Sequence, residues 1–181
     1  MTLISSPAKA WEEISVIEDR REVFMGFVYP MIGLCGLSVF IGALIANGWG
    51  DALAFQTAMT QCCAVVVAWF GGYFLAAYAI NRIGTRWFGL WEDMPLAWQF
   101  TGYGLVVPLV LQIILGLLPD FKVIVWVLQF YTVYVVWEGV PVMTTVKETA
   151  RLRYTLLVSA LLLICPQLIL LVFNWLTTTL N

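Results

Sequence analysis

Residues 154–176 read YTLLVSALLLICPQLILLVFNWL, without one charged side chain. A bilayer-spanning helix needs about 20 predominantly apolar residues, because each residue rises only about 1.5 Å against a hydrocarbon core about 30 Å thick. An amphipathic helix of a soluble protein would show a polar face in such a stretch, and none is present. Four more runs of this kind precede it, at 27–46, 59–80, 98–118 and 122–144, and none holds Lys or Arg beyond its boundary residues. In lipid the backbone groups must be satisfied within the segment, so these runs are helices. The period-2 alternation of an outer-membrane barrel is absent. The sequence therefore predicts an all-α polytopic membrane protein, a bundle of five transmembrane helices over 27–181. Residues 1–26 precede it as a cytoplasmic N-terminal amphipathic helix.

The composition agrees with that reading. Hydrophobic residues make up 62% of the chain and charged residues 11%, with a mean hydropathy of +0.91. Soluble domains carry about 45–50% apolar and about 25% charged residues. The chain has no histidine, which excludes His-based triads, His–metal sites and His general bases. Cys35, Cys62, Cys63 and Cys165 sit inside apolar runs without a metal-binding spacing, and are expected to pack as small hydrophobes. No metal or cofactor is expected. A net charge of −2 gives no footing for nucleic acid.

Basic residues set the threading. Lys9, Arg20 and Arg21 precede the first span, Arg82 and Arg86 follow the second, and Lys147, Arg151 and Arg153 follow the fourth. With five spans, eight of the nine basic residues fall on one side, and Lys122 alone falls on the other. The positive-inside rule then predicts a cytoplasmic N-terminus and an external C-terminus. Trp87, Phe88, Trp91 and Trp98 on the inner side, with Trp49 and Trp175 outside, suit the aromatic belts. The connection around Pro119-Asp120 is short enough to make spans three and four a hairpin.

Residues 7–22 predict a surface helix. Ser6 is placed as its N-cap and Pro7 as its first residue, and Ala10, Trp11, Ile14 and Ile17 share one face. Such a helix lies on the membrane or against the bundle.

Within the spans, Ala64, Ala68, Gly72 and Ala76 recur at four-residue steps, as do Ser38, Gly42 and Ala46, and small residues at this spacing let helices approach closely. Pro108, Pro141 and Pro166 each remove a backbone donor and are expected to bend their helices. Glu138 is the one acid inside a span. An intramembrane carboxylate is a candidate polar site because leaving it bare costs several kcal/mol. Tyr131 and Tyr134 share its helix face and offer hydroxyls, while Thr101 and Gln112 present a polar face on the third span beside Pro108.

These residues carry a family resemblance. The segment Ser6-Pro7-Ala8-Lys9-Ala10-Trp11-Glu12-Glu13-Ile14 resembles the N-terminus of compact bacterial five-span members of the Yip family, the Ypt/Rab-interacting proteins. Phe100-Thr101-Gly102-Tyr103 before Pro108 is similar to their third-span signature, and Tyr131, Tyr134, Gly139 and Pro141 before Lys147 to their fourth. The resemblance implies a five-helix integral protein of the bacterial inner membrane. Eukaryotic members are linked to small Rab-type GTPases and vesicle traffic, but their Asp-Leu-Tyr-Gly-Pro motif does not occur here. Glu138 stands where the family pattern has an apolar residue, so the resemblance lends it no role.

The expected function is non-enzymatic: an organising or interaction protein for other membrane components. Its partners would be membrane lipids and other membrane proteins, with homo-oligomerisation open. The alternative is a small transporter or channel built on Glu138 and the proline-broken helices.

Overall fold

The computed structural model describes residues 2–17 and 23–180. Residues 1 and 181 lie outside the described residues, as does 18–22, which holds Arg20 and Arg21. Every regular element among the described residues is helical. Two short helices, α1 (Thr2–Ser5) and α2 (Pro7–Ser15), come first. A π-helical turn, Phe24–Val28, runs directly into α3 (Tyr29–Asn47), and α4 (Ala52–Phe88) returns. The next crossing is made of α5 (Met94–Gly104) and α6 (Val106–Leu117), and a 3-10 turn at Pro119–Phe121 closes the hairpin. Two helices, α7 (Lys122–Leu128) and α8 (Tyr131–Met143), lead back, and α9 (Glu148–Leu180) ends the bundle. Among the described residues four stretches are long and apolar enough to cross a membrane singly, and α5 with α6, bent by 41° at their junction, brings the number to five if the pair is one span.

The helices outrun the predicted spans. α4 begins before residue 59 because Asp51 caps it, its carboxylate accepting the Leu53 N–H at 3.3 Å, and it ends only at Gly89, whose φ of 68° suits a residue without Cβ. Hydropathy marks where lipid begins, whereas capping decides where a helix stops. At α2, by contrast, Ser6 makes no side-chain capping bond; only its carbonyl takes part, accepting from Ala10 N–H at 3.2 Å.

The prolines act unequally. Pro108 has no N–H to give the Gly104 carbonyl, and the third span breaks there: the Leu105 N–H still reaches Thr101 O at 3.0 Å, and α6 restarts with Leu109 N–H on Leu105 O at 2.9 Å. Pro141 and Pro166 stay inside α8 and α9 without ending them. The fourth span is instead interrupted twelve residues earlier than Pro141, at Gln129–Phe130. There the hydrogen bonds tighten to three-residue reach, Thr132 N–H on Gln129 O and Val133 N–H on Phe130 O, both at 3.0 Å. No residue at that point forbids the α pattern, and we have no physical account of the break.

α4 is the axis on which α3, α5 and α9 pack. Its small-residue stripe is buried, and it extends back from Ala64 to Ala58 and Ala54. A Cβ on Gly72 would lie 2.5 Å from Pro166 Cα and 2.7 Å from Pro166 N, so only glycine allows α4 and α9 to meet there. Gly42 of α3 likewise abuts the Gly116 carbonyl of α6, and Ser38 the Gly116 backbone. The turns carrying Arg82, Arg86, Lys147, Arg151 and Arg153 gather at one end of the bundle, called here the basic end.

Candidate functional site

At the N-terminal segment, α2 stops at Ser15, so Ile17 lies beyond it and is exposed, while the Ala10, Trp11 and Ile14 part of the expected apolar face is turned into the bundle. Ala10 and Ile14 are buried and Trp11 is 0% exposed, while Lys9, Glu12 and Glu13 face outward. The Trp11 indole N–H donates to the Val135 carbonyl of α8 at 2.9 Å, and its ring packs 5.3 Å from Phe100 and edge-on to Tyr103 at 6.5 Å. The room for the indole is supplied by Gly139, where a Cβ would fall 2.6 Å from the ring. Two further bonds pin the segment. The Gln99 amide, 2% exposed, donates to the Ile14 carbonyl at 3.1 Å, one of the carbonyls left over at a helix end. The Tyr131 hydroxyl donates to Ile4 O at 2.8 Å.

That last bond redirects the polar site expected at Glu138. Tyr131 is committed to the N-terminal segment, and Tyr134 is 47% exposed. Glu138 is half-buried and makes no hydrogen bond or ion pair with any described residue. The third-span residues lie apart from it. Thr101 is 0% exposed, with its hydroxyl unpartnered among the described residues, and Gln112 lines a cleft at the opposite end with Asn47, Gln61, Gly116 and Asn174. The structure thus separates Glu138 from Gln112 instead of joining them.

The charge that organises this region is Arg151, which the sequence reading counted only toward topology. Pro141 cannot donate to the carbonyl four residues before it, that of Trp137. Arg151, at the start of α9, fills the vacancy: Nη2 donates to Trp137 O at 2.9 Å and the guanidinium lies 4.1 Å from the centroid of the Trp137 ring. Its ion pair with Glu148, at 3.7 Å with the carboxylate mostly exposed, adds little. A proline four residues after a carbonyl, with an arginine opening the following helix, was the signal available for this contact.

Just beyond lies a cleft of about 200 Å³ at the basic end, between the end of α4, the start of α5, and the α8–α9 turn. Ile80, Leu90, Leu96, Ala97, Phe100 and Met143 give it apolar walls, and Asn81, Thr144 and Tyr154 its polar points. Asn81 takes the Asp93 N–H at 3.2 Å, and Asp93 in turn caps α5 by accepting the Leu96 N–H at 2.9 Å. No three His, Cys, Asp or Glu side chains gather for a metal ion among the described residues, and the four cysteines are free thiols.

The model of the Yip1 domain matches residues 1–172. The chain belongs to the Yip1 domain family. No curated protein and no solved structure matches it. The match gives the docked N-terminal segment a meaning within the Yip1 domain, since the separate sequence pieces that resemble the family meet in space. Trp11 of the N-terminal piece sits against Gly139 of the fourth-span piece and beside Tyr103 of the third. Gly102, next to that tyrosine, leaves space for Val23 and Val28 at the entry to α3, where a Cβ would lie 2.9 and 3.0 Å from their methyl groups. Tyr103 stacks on Phe27 at 5.4 Å. The Yip1 domain of this chain is thus closed by its own N-terminus.

Proposed function

We propose that this Yip1-domain protein organises neighbouring membrane components, and neither catalyses a reaction nor carries a solute. The observation that carries the reading is the docked α2: its apolar side packs against α5 and α8, and its charged side, Lys9, Glu12 and Glu13, faces out of the bundle. A helix so held offers a fixed polar surface for a partner. The reading assigns the basic end to the cytoplasm of a bacterial inner membrane, in keeping with the eight-to-one distribution of basic residues. A transporter built on Glu138 is disfavoured, since Glu138 bonds to no described residue and the amides of Gln112 and Asn174 line a separate cleft at the opposite end.

Photocrosslinkers at Glu13 and, as a lipid-facing control, at Val123 test the proposal in intact membranes. A discrete protein adduct at Glu13 and none at Val123 is expected. Absence of any adduct at Glu13, together with substrate-dependent flux in reconstituted vesicles that Glu138→Gln abolishes, would replace the organising role by the transporter.

A further inference from the structure

The cleft at the basic end holds more polar capacity than the protein uses. Tyr154 is 2% exposed, its ring packed edge-on to Phe88 at 4.9 Å, yet its hydroxyl bonds to no described residue. The hydroxyl stands beside Gly84 on the cleft wall, 3.7 Å from where a Cβ would be. Asn81, 8% exposed, spends its carbonyl oxygen on the Asp93 N–H, while its amide nitrogen donates to no described residue. Two donors on largely buried side chains thus open onto one space, and neither is spent on a described residue. An acceptor entering the cleft can take both hydrogen bonds in place of water.

We propose that this cleft binds one anionic phospholipid, the phosphate and glycerol ester region accepting from Tyr154 and Asn81 and the first methylenes lying against Leu96, Ala97 and Phe100. The position selects a lipid. The exposed Trp87 and Trp91, 67% and 89% accessible, mark headgroup depth beside the cleft. The volume of about 200 Å³ takes a headgroup segment and a few methylenes, not a whole lipid, which leaves the chains in the bilayer. The charge around the mouth favours an anion. Asp93, the charged residue in the lining, is engaged in capping α5, while Arg82, Arg86, Lys147 and Arg153 in the surrounding segments outnumber Glu92 and Glu148, and basic surroundings between membrane helices favour anionic headgroups. The site stands independently of the organising role proposed above.

Native mass spectrometry of the full chain, equilibrated with mixed phosphatidylglycerol and phosphatidylcholine vesicles, tests the proposal. The wild type should retain one phosphatidylglycerol per chain in preference to phosphatidylcholine, and excess inorganic phosphate should not displace it. Tyr154→Phe keeps the ring against Phe88 and should lower retention about tenfold, the loss of one hydrogen bond to a charged acceptor. Ala97→Leu, which fills the apolar wall and leaves both donors, should lower it similarly, and the distant Tyr134→Phe should not. Equal retention of the two lipids by the wild type would overturn the proposal without recourse to any variant. Undiminished retention in Tyr154→Phe or Ala97→Leu would also overturn it. Displacement by inorganic phosphate would mark a simple anion site, and would overturn it too, as would retention of a co-purifying acidic peptide in place of lipid.

Discussion

Alanine at Gly72 should push α4 and α9 apart. The new Cβ would stand 2.5 Å from Pro166 Cα and 2.7 Å from Pro166 N, and both are backbone atoms that no rotamer change can move away. Carbon atoms in contact rest at about 3.5–4.0 Å, so the helices must separate by about 1 Å, a gap that forfeits a quarter to a half of each contact's attraction. Taking about 30 atom pairs at the crossing and about 0.1–0.2 kcal/mol for each, the loss comes to about 1–3 kcal/mol, the usual range for overpacking. Alanine also improves on glycine as a helix former by about 1 kcal/mol, which would mask part of the effect. Gly33→Ala removes that ambiguity, since Gly33 is also mid-helix and has nothing within 4 Å of its Cβ position. The two variants should differ by about 2 kcal/mol, or about 4–8 °C in Tm for a chain of this size. Thermal unfolding in detergent, followed by tryptophan fluorescence, reads that difference. If the two variants melt together, α4 and α9 do not pack through Gly72, and Gly72→Leu, which should be worse still, would then be tolerated as well.

Arg151→Gln should cost about 2–3 kcal/mol, from the lost stacking on Trp137 and the orphaned carbonyl. Pro141→Ala restores an N–H to that carbonyl, so the Arg151→Gln penalty should shrink in the Pro141→Ala background; a double-mutant cycle with no coupling would refute the capping role. Gly139→Val should eject the Trp11 ring and undock α2, exposing the bond after Lys9 to trypsin; an unchanged cleavage rate would show that the helix is not held there. Glu138→Gln should change stability by less than about 1 kcal/mol, because the carboxyl serves no described partner and intramembrane hydrogen bonds average only about 0.6 kcal/mol. A larger loss on chemical unfolding would assign Glu138 a structural bond that the fold does not contain.

The sequence made the bundle legible because lipid imposes a one-dimensional signal: apolar length counts spans, and the Pro119-Asp120 connection is too short for anything but a hairpin. Local chemistry was legible too. Pro108 announced the break at Leu105, and the Ala10–Trp11–Ile14 face announced burial. What lay beyond reach was the counterpart of each face. Nothing in the spacing of Trp11 reveals that Gly139, 128 positions later, leaves a hole for an indole. The polar site suffered for the same reason. Tyr131 and Glu138 share a helix face, but a hydroxyl bonds to whatever comes within reach, and Ile4 O came within reach first.

The length of α4 has a consequence for the surrounding bilayer. Its 37 residues span about 55 Å, against a hydrocarbon thickness of about 30 Å. Even at a tilt of about 40°, the steep end of what membrane helices adopt, it would still cover about 42 Å along the normal. Its ends therefore stand in the headgroups or beyond them, with Asp51 at one and Arg86 at the other, while the apolar middle sets the depth at which the helix floats. Because α3, α5 and α9 are packed on it, the whole protein must rise, sink or lean with that one rod. A thicker bilayer should right it and a thinner one tip it over, so that this protein meets a change in membrane thickness as a change in its own inclination.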